Sequence, residues 1–225
     1  MIITIDGPSG TGKTTVAKEV AKRLQFAYFD TGAMYRAVAW KLLHEKIAVD
    51  DIPAIEDVLK HFSFRVQETA GDPRYFCGIY DVTQDIRSQK VIKIVSAVAA
   101  LLPVREALWK VQRDFAAQDN VVFEGRDLGT VVFPNAEVKI FLTANPRVRA
   151  KRRLEELKVK NPKEAAKMDE SKMIADMKRR DTLDSTRELA PLKCPEDALQ
   201  IDTSDLTLGD VVDRILRYKT EKQAT

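Results

Sequence analysis

The sequence predicts an α/β protein of three layers, built on a five-stranded parallel sheet and carrying a small antiparallel β insert and a helical lid. Three observations predict it. Short apolar runs alternate with helical periodicity five times along 225 residues, the pattern of parallel strands joined by right-handed crossovers. The first run is followed at once by Gly7-Pro8-Ser9-Gly10-Thr11-Gly12-Lys13-Thr14, which fits GxxxxGK[ST] between a strand and a helix. Near residues 64–79 the apolar period changes from that of a helix to strict alternation, which marks an insert outside the parallel core.

Taken in order, Ile2, Ile3 and Ile5 with Thr4 read as a strand covered on both faces, because no polar alternation interrupts the β-branched run. The glycines after Asp6 let the chain curl so that backbone N–H groups point at phosphate oxygens, and the following helix adds the positive end of its dipole. This makes residues 7–15 a phosphate loop and the fold that of the P-loop NTPases. Lys13 is expected to reach the β and γ phosphates of a nucleotide and the Thr14 hydroxyl to bind Mg²⁺, with Thr15 completing the loop.

Val16, Val20 and Leu24 then mark a helix packed on a sheet, and Ala27 to Asp30 a second strand. Thr31 and Gly32 are expected to form a turn, with Thr31 capping the helix that carries Met34, Tyr35, Val38 and Leu42. A further helix follows with Ile55, Val58, Leu59 and Phe62. Phe64, Val66 and Glu68 alternate, as do Tyr75, Cys77 and Ile79, so a hairpin across Gly71-Asp72-Pro73 is expected. A long helical pattern runs from Ser88 to Ala117 with a break or kink at Pro103, since the residue before a proline is pushed out of the helical region. Val121 to Glu124, Glu137 to Thr143 and Leu199 to Asp202 are the remaining core strands, and the tail after Lys219 is expected to fray.

Composition narrows the partners. Apolar residues make up 44% and charged residues 32%, with a net charge of +3 that is too small to imply nucleic-acid binding. The longest mainly apolar run, Ile94 to Leu102, is too short to span a bilayer, and the N-terminus enters the first strand with no basic and apolar leader. A cytoplasmic protein is expected, a monomer without nucleic-acid or membrane partners. Cys77 and Cys194 lie far apart with no metal-ligand spacing, which favours reduced thiols, and His44 and His61 have no ligand-spaced partners.

Charge is unevenly placed. Residues 147–180 hold thirteen basic side chains against six acidic, so they carry +7 and the remainder −4. Such a stretch fits a solvated helical surface, and beside a phosphate loop it also fits a lid whose arginines, Arg149 and Arg153 on one face, neutralise a transferring phosphoryl group. Arg180, Asp184 and Arg187 share one face if the helix runs to Glu188, with Asn161-Pro162 breaking the pattern before that helix. They fit a surface ion-pair ladder as well as a site. Arg36, one helical turn past Gly32, and Arg126 with Asp127 lie after strand ends, where this fold places ligands and where arginine pairs with phosphate in two bonds. Glu124, at a strand end beside the loop, is the candidate acid for Mg²⁺ held through water.

The segments IDGPSGTGKTT, FDTGAMYR, PVREAL, FEGRDLGTVVFP, VKIFLTA, RRDTLDSTRELAPL and LQIDTS resemble those of bacterial cytidylate kinases, in the same order over nearly the full length. GIYDVTQDIRSQKV resembles that family's segment before the long helix. The resemblance implies a nucleoside monophosphate kinase that transfers the γ-phosphate of ATP to CMP or dCMP with Mg²⁺. It implies one domain over residues 1–225, with a core of about 1–35, 88–145 and 190–225, a monophosphate-binding part with the β insert at about 36–87, and a lid at about 147–180. Residue by residue it puts Thr31, Tyr35 and Arg36 near the monophosphate and Ser96, Arg105 and Asp127 at the cytosine end. Arg126 and Arg187 would hold the acceptor phosphate, and Asp184 with Arg180 the ribose side. Lys13, Arg126, Arg153, Arg180 and Arg187 make up the implied catalytic set. Thr31 stands where the family often has serine, and keeps the hydroxyl. Asp202-Thr203-Ser204 would border the adenine, while Trp40 and Trp109 are assigned to packing. Without the resemblance, a kinase of the same fold with another acceptor stays open; a GTPase lacks its NKxD and DxxG segments here.

Overall fold

The computed structural model describes residues 1–67, 73–160, 162–166 and 168–224. The chain divides into two compact units, Met1–Phe29 with Ala116–Thr225, and Asp30–Phe115.

The first unit is organised on a five-stranded parallel sheet of β1 (Ile2–Asp6), β2 (Ala27–Asp30, whose last residue belongs to the second unit), β6 (Val121–Gly125), β7 (Val138–Thr143) and β8 (Leu199–Asp202), in the order β2-β6-β1-β7-β8. Strand β1 is central, parallel to β6 with Asp6 opposite Gly125 and parallel to β7 with Asp6 opposite Phe141. The order of strands reverses at β1, so the carboxyl ends of β1 and β6 open where ligands collect. Helices α1 (Lys13–Leu24) and α9 (Leu208–Gln223) pack Val16, Val20, Val211 and Ile215 against Ile3, Ile5, Val138 and Ile140, all of them buried. Each such side chain contributes about 1.5–3 kcal/mol. A separate small core of Ala150, Met173 and Met177 joins α6 (Pro146–Lys160) to α8 (Glu170–Thr186), with the short α7 (Pro162–Ala165) between them.

The second unit holds α2 (Thr31–His44), α3 (Ile52–Lys60), the insert strands β3 (Phe64–Gln67), β4 (Arg74–Cys77) and β5 (Tyr80–Asp81), α4 (Gln89–Val98) and α5 (Leu102–Ala116), whose last residue belongs to the first unit. Tyr75, Cys77, Val82 and Ile86 pack on Ala33 and Ala37 of α2.

Four local expectations change, and the expected break near Pro103 is found. The insert is a three-stranded antiparallel sheet rather than a hairpin, because the chain turns again at Gly78 and Ile79 so that Tyr80 pairs with Cys77. Ile79 is therefore in that turn and 88% exposed. Glu68, Gly71 and Asp72 lie outside the described residues, as does Asn161. Thr31 does not cap α2; Asp30 does, accepting the Ala33 N–H at 2.9 Å, and Thr31 and Gly32 form the first helical turn. The long pattern from Ser88 divides into α4 and α5 before Pro103, which sits in the first turn of α5 where its missing N–H breaks no bond. Helix α8 stops at Thr186, with Arg187 extended at φ −61° and ψ 142°, so Arg187 leaves the face shared by Arg180 and Asp184. The tail is helical to Gln223: Thr207 and Asp210 form a capping box, and α9 packs on the core.

Candidate nucleotide-binding site

In the first unit the phosphate loop has the backbone its glycines require. Gly7 sits at φ +145°, and a Cβ there would lie 2.2 Å from the Leu142 carbonyl oxygen, so any side chain would push the loop off β7. Gly10 at φ +79° admits Met177 and Arg149 of the lid helices, whose nearest atoms stand 2.7 and 3.0 Å from where its Cβ would be. Pro8 supplies the carbonyl that Lys13 Nζ grips at 2.8 Å and the Thr11 hydroxyl at 3.1 Å. Lys13 is buried, and burial first, then the charge of Arg126, hold its ammonium well below the usual lysine range; Arg180 adds to this and Glu124 opposes it. A cation in that state gains from an arriving polyphosphate. Gly12 precedes the first turn of α1, and Thr14 and Thr15 lie exposed in that turn.

Thr14 donates its hydroxyl to Glu124 Oε2 at 2.9 Å, and Tyr28 donates to Glu124 Oε1. Sequence-distant residues are thus joined by the pairing of β6 with β1. A hydroxyl and a carboxylate are hard oxygen donors, the set that Mg²⁺ takes together with water and nucleotide phosphates. Among the described residues no group of three or more His, Cys, Asp and Glu side chains is arranged to hold a metal on its own.

Beyond β6 the arginines are held by carboxylates. Arg126 Nε donates to Asp184 at 3.1 Å, and Arg187 donates one bond to Asp127 at 3.1 Å and another to the Ala190 carbonyl at 2.7 Å. All four side chains are largely buried, Asp127 and Asp184 at 5% and 7% exposure. The pairs run from α8 and its C-terminal end across to the turn after β6, so the face of α8 carrying Asp184 is engaged with that turn. Arg180, half-buried, is near enough to Lys13 to act on its charge.

On the lid helices Arg153 pairs with Glu156 within α6 at 2.6 Å and is 35% exposed in its side chain. Arg149 is the better placed of the two for the loop: it is 7% exposed and donates to the Ser9 carbonyl at 3.0 Å and to Asp181 at 2.7 Å. Arg152 donates to the Thr203 carbonyl at 2.6 Å and its hydroxyl at 2.9 Å, and Thr203 donates to the Thr11 carbonyl at 3.0 Å. Asp202 accepts from the Ser204 N–H at 2.8 Å and hydroxyl at 2.6 Å, which shapes that turn.

The second unit brings its own groups together. Asp30 caps α2 with one oxygen and holds Arg36 with the other at 3.0 Å, with Thr31 buried between them in sequence. Arg105, fully buried, donates to the Tyr35 hydroxyl at 3.5 Å, and its guanidinium lies 5.5 Å from the Tyr35 ring centre and 5.8 Å from that of Trp109. Ser96 is half-buried on α4. Trp40 stacks on His44 at 4.8 Å and packs against Tyr80, an aromatic cluster between α2 and the insert.

Sequence reading missed the site contacts of Asp6, Arg149 and Arg152. Arg149 is singled out in the sequence with Arg153 as a lid arginine for the phosphoryl group, not as a partner of the loop backbone, and nothing local marks Asp6 beyond the end of a strand. Asp6 is fully buried and accepts two backbone N–H bonds from the turn after β6; burial raises its pKa to about 7, with Asp127 adding and those bonds opposing.

The family model "Cytidylate kinase" matches residues 3–221. Relatives named cytidylate kinase include one of Protochlamydia amoebophila (strain UWE25), 49% identical over 97% of this chain and 96% of its own length. Another, of Geobacillus sp. (strain WCH70), is 46% identical over 98% and 96%. Among solved structures, an uncharacterized protein from Eubacterium ventriosum ATCC 27560 is similar at a TM-score of 0.52 and 15% identity, covering 98% of each chain, a likeness of fold alone. The match to the family model and to these relatives runs over nearly the whole sequence, and the chain belongs to the cytidylate kinase family.

Proposed function

We propose that the protein transfers the γ-phosphate of ATP to CMP or dCMP, giving ADP and CDP or dCDP, as a cytoplasmic monomer acting on free nucleotides. The observation that carries this reading is the set of buried arginines held on carboxylates beside a phosphate lysine in one unit: Arg126 on Asp184 and Arg187 on Asp127. Those carboxylates keep the guanidinium groups oriented until a phosphate competes for them with two bonds per arginine.

The phosphate loop, residues 7–15, takes the triphosphate through its backbone N–H groups and Lys13. Arg126 and Arg187 take the acceptor phosphate with Arg36, while Asp184 and Arg180 face its ribose. Thr31 and Tyr35 flank the monophosphate, and Ser96, Arg105 and Asp127 read the cytosine. Arg153 leaves Glu156 for the transferring group, and the 202–204 turn borders the adenine. Mg²⁺, held by Thr14 and through water by Glu124, would neutralise charge on the β and γ phosphates. No side-chain nucleophile is required: a monophosphate with a second pKa of about 6 is mainly dianionic at neutral pH and attacks in line itself. The chain supplies alignment, charge and exclusion of water.

Mixing the pure protein with MgATP and each common nucleoside monophosphate tests the reading. Fast ADP formation with CMP and dCMP, little with AMP or GMP, and negligible ATP hydrolysis without acceptor is the expected result. ADP release that ignores the acceptor contradicts it.

A further inference from the structure

Asp6 closes β1 with its side chain 1% exposed, and both carboxylate oxygens go to the same turn. Oδ1 accepts the Leu128 N–H at 3.1 Å and Oδ2 the Gly129 N–H at 2.8 Å. These N–H groups open the π-helical turn Leu128–Val132, and a helical turn leaves its first N–H groups without internal partners. The residue in the capping position is Asp127, a type that ordinarily caps its own helix. Here its side chain makes no cap bond and accepts from Arg187 at 3.1 Å instead.

We propose that Asp6 is a positioning residue for the acceptor nucleotide: by capping the Leu128 turn from the neighbouring strand, it lets Asp127 remain on Arg187 rather than fold back as a local cap. The inference rests on the proposed function and deepens it. Lacking the Asp6 carboxylate, the turn recruits the nearest acceptor, Asp127, and Arg187 loses its orienting partner. The phosphate loop keeps its own bonds from Lys13 and Thr11 to Pro8, so the donor side is spared. Burial first, and Asp127 with it, raise the Asp6 pKa to about 7, while the two N–H bonds and Lys13 favour its charged form.

Steady-state kinetics of Asp6→Asn test it, because an amide accepts at only one oxygen. KM for CMP should rise about ten- to a hundred-fold, the loss of one charge-assisted contact, while KM for ATP stays within about two-fold. In an Asp127→Ala background, adding Asp6→Asn should change KM for CMP little further. Equal losses for both substrates, no change in either, or additive losses in the double variant would overturn the proposal. Should the variant not fold, amide resonances of Leu128 and Gly129 in the wild-type protein report the same bonds. They should be strongly protected from exchange with solvent, and fast exchange at both overturns it. Wild-type protein inactive on CMP would instead refute the proposed function, which keeps the two failures apart.

Discussion

Lys13 and Asp6 show how burial sets the chemistry of single residues at this site. Lys13 donates to the Pro8 carbonyl, a neutral acceptor, and is surrounded by arginine charge, so it is organised for a ligand that brings negative charge. Lys13→Met should leave the fold intact and lower transfer by about 10²–10³-fold or more, the cost of removing one charge-stabilising donor. A rapid-quench assay with CMP checks this, and retained turnover would mean the loop is not the donor site. Asp6 makes a prediction about pH. Its pKa rises from 3.8 to about 7 on folding, so the folded protein keeps a proton that the unfolded chain has lost. Its contribution to stability is fully present below about pH 4 and is lost as pH rises to about 7. Asp6→Asn lacks that slope. Urea unfolding at pH 5 and pH 8 should therefore show the variant gaining on wild type by on the order of 3 kcal/mol between the two, since each pKa unit is about 1.4 kcal/mol. Lys13 slopes the opposite way and acts on Asp6, so the comparison reads the two groups together. A gap that does not change with pH would contradict the buried-charge account.

At the scale of elements, the lid is joined to the phosphate loop by packing as well as charge. Helices α6 and α8 meet over Ala150, Met173 and Met177, and Met177 with Arg149 closes on Gly10. Arg149 ties the two helices through Asp181 and reaches the Ser9 carbonyl. Arg149→Ala should thus disturb the loop before any nucleotide arrives, raising KM for ATP by about ten-fold, the loss of one charge-assisted bond. Arg153→Ala, which removes only an exposed pair in the ligand-free protein, should spare KM and lower kcat by about ten- to a hundred-fold if Arg153 acts in the transition state. Initial-rate measurements on both variants decide between these roles. A change confined to KM for Arg153→Ala would assign it to ground-state binding. Gly10→Ala is expected to be worse than either, because the Cβ meets two side chains and the backbone is left-handed there.

For the whole molecule, ligands that bind the folded chain alone stabilise it by mass action. MgATP at about a hundred times its Kd should add about 2.7 kcal/mol, which for a chain of this size raises Tm by about 5–10 °C. The shift should vanish in Lys13→Met, and thermal melts with and without nucleotide measure it directly. Among the described residues no helix is long and apolar enough to cross a membrane.

The five core strands, the phosphate loop and the residue types of the arginine sites were legible in the sequence, because buried parallel strands and GxxxxGK[ST] are local patterns that few different folds produce. The third insert strand was not, since Tyr80–Asp81 is too short for alternation to register. Neither was the end of α8, where Arg187 turns extended to reach Asp127 against a helical pattern that continues to Glu188. The second of these departures has a tertiary cause. Which carboxylate meets which guanidinium, and which acid caps which turn, depends on β6 lying beside β1, a pairing between residues more than a hundred positions apart. The sequence by itself determined the elements and the chemistry available to them. Only the tertiary structure decided the partners, because burial makes an unpartnered charge costly and the fold settles which neighbours are within reach to satisfy it.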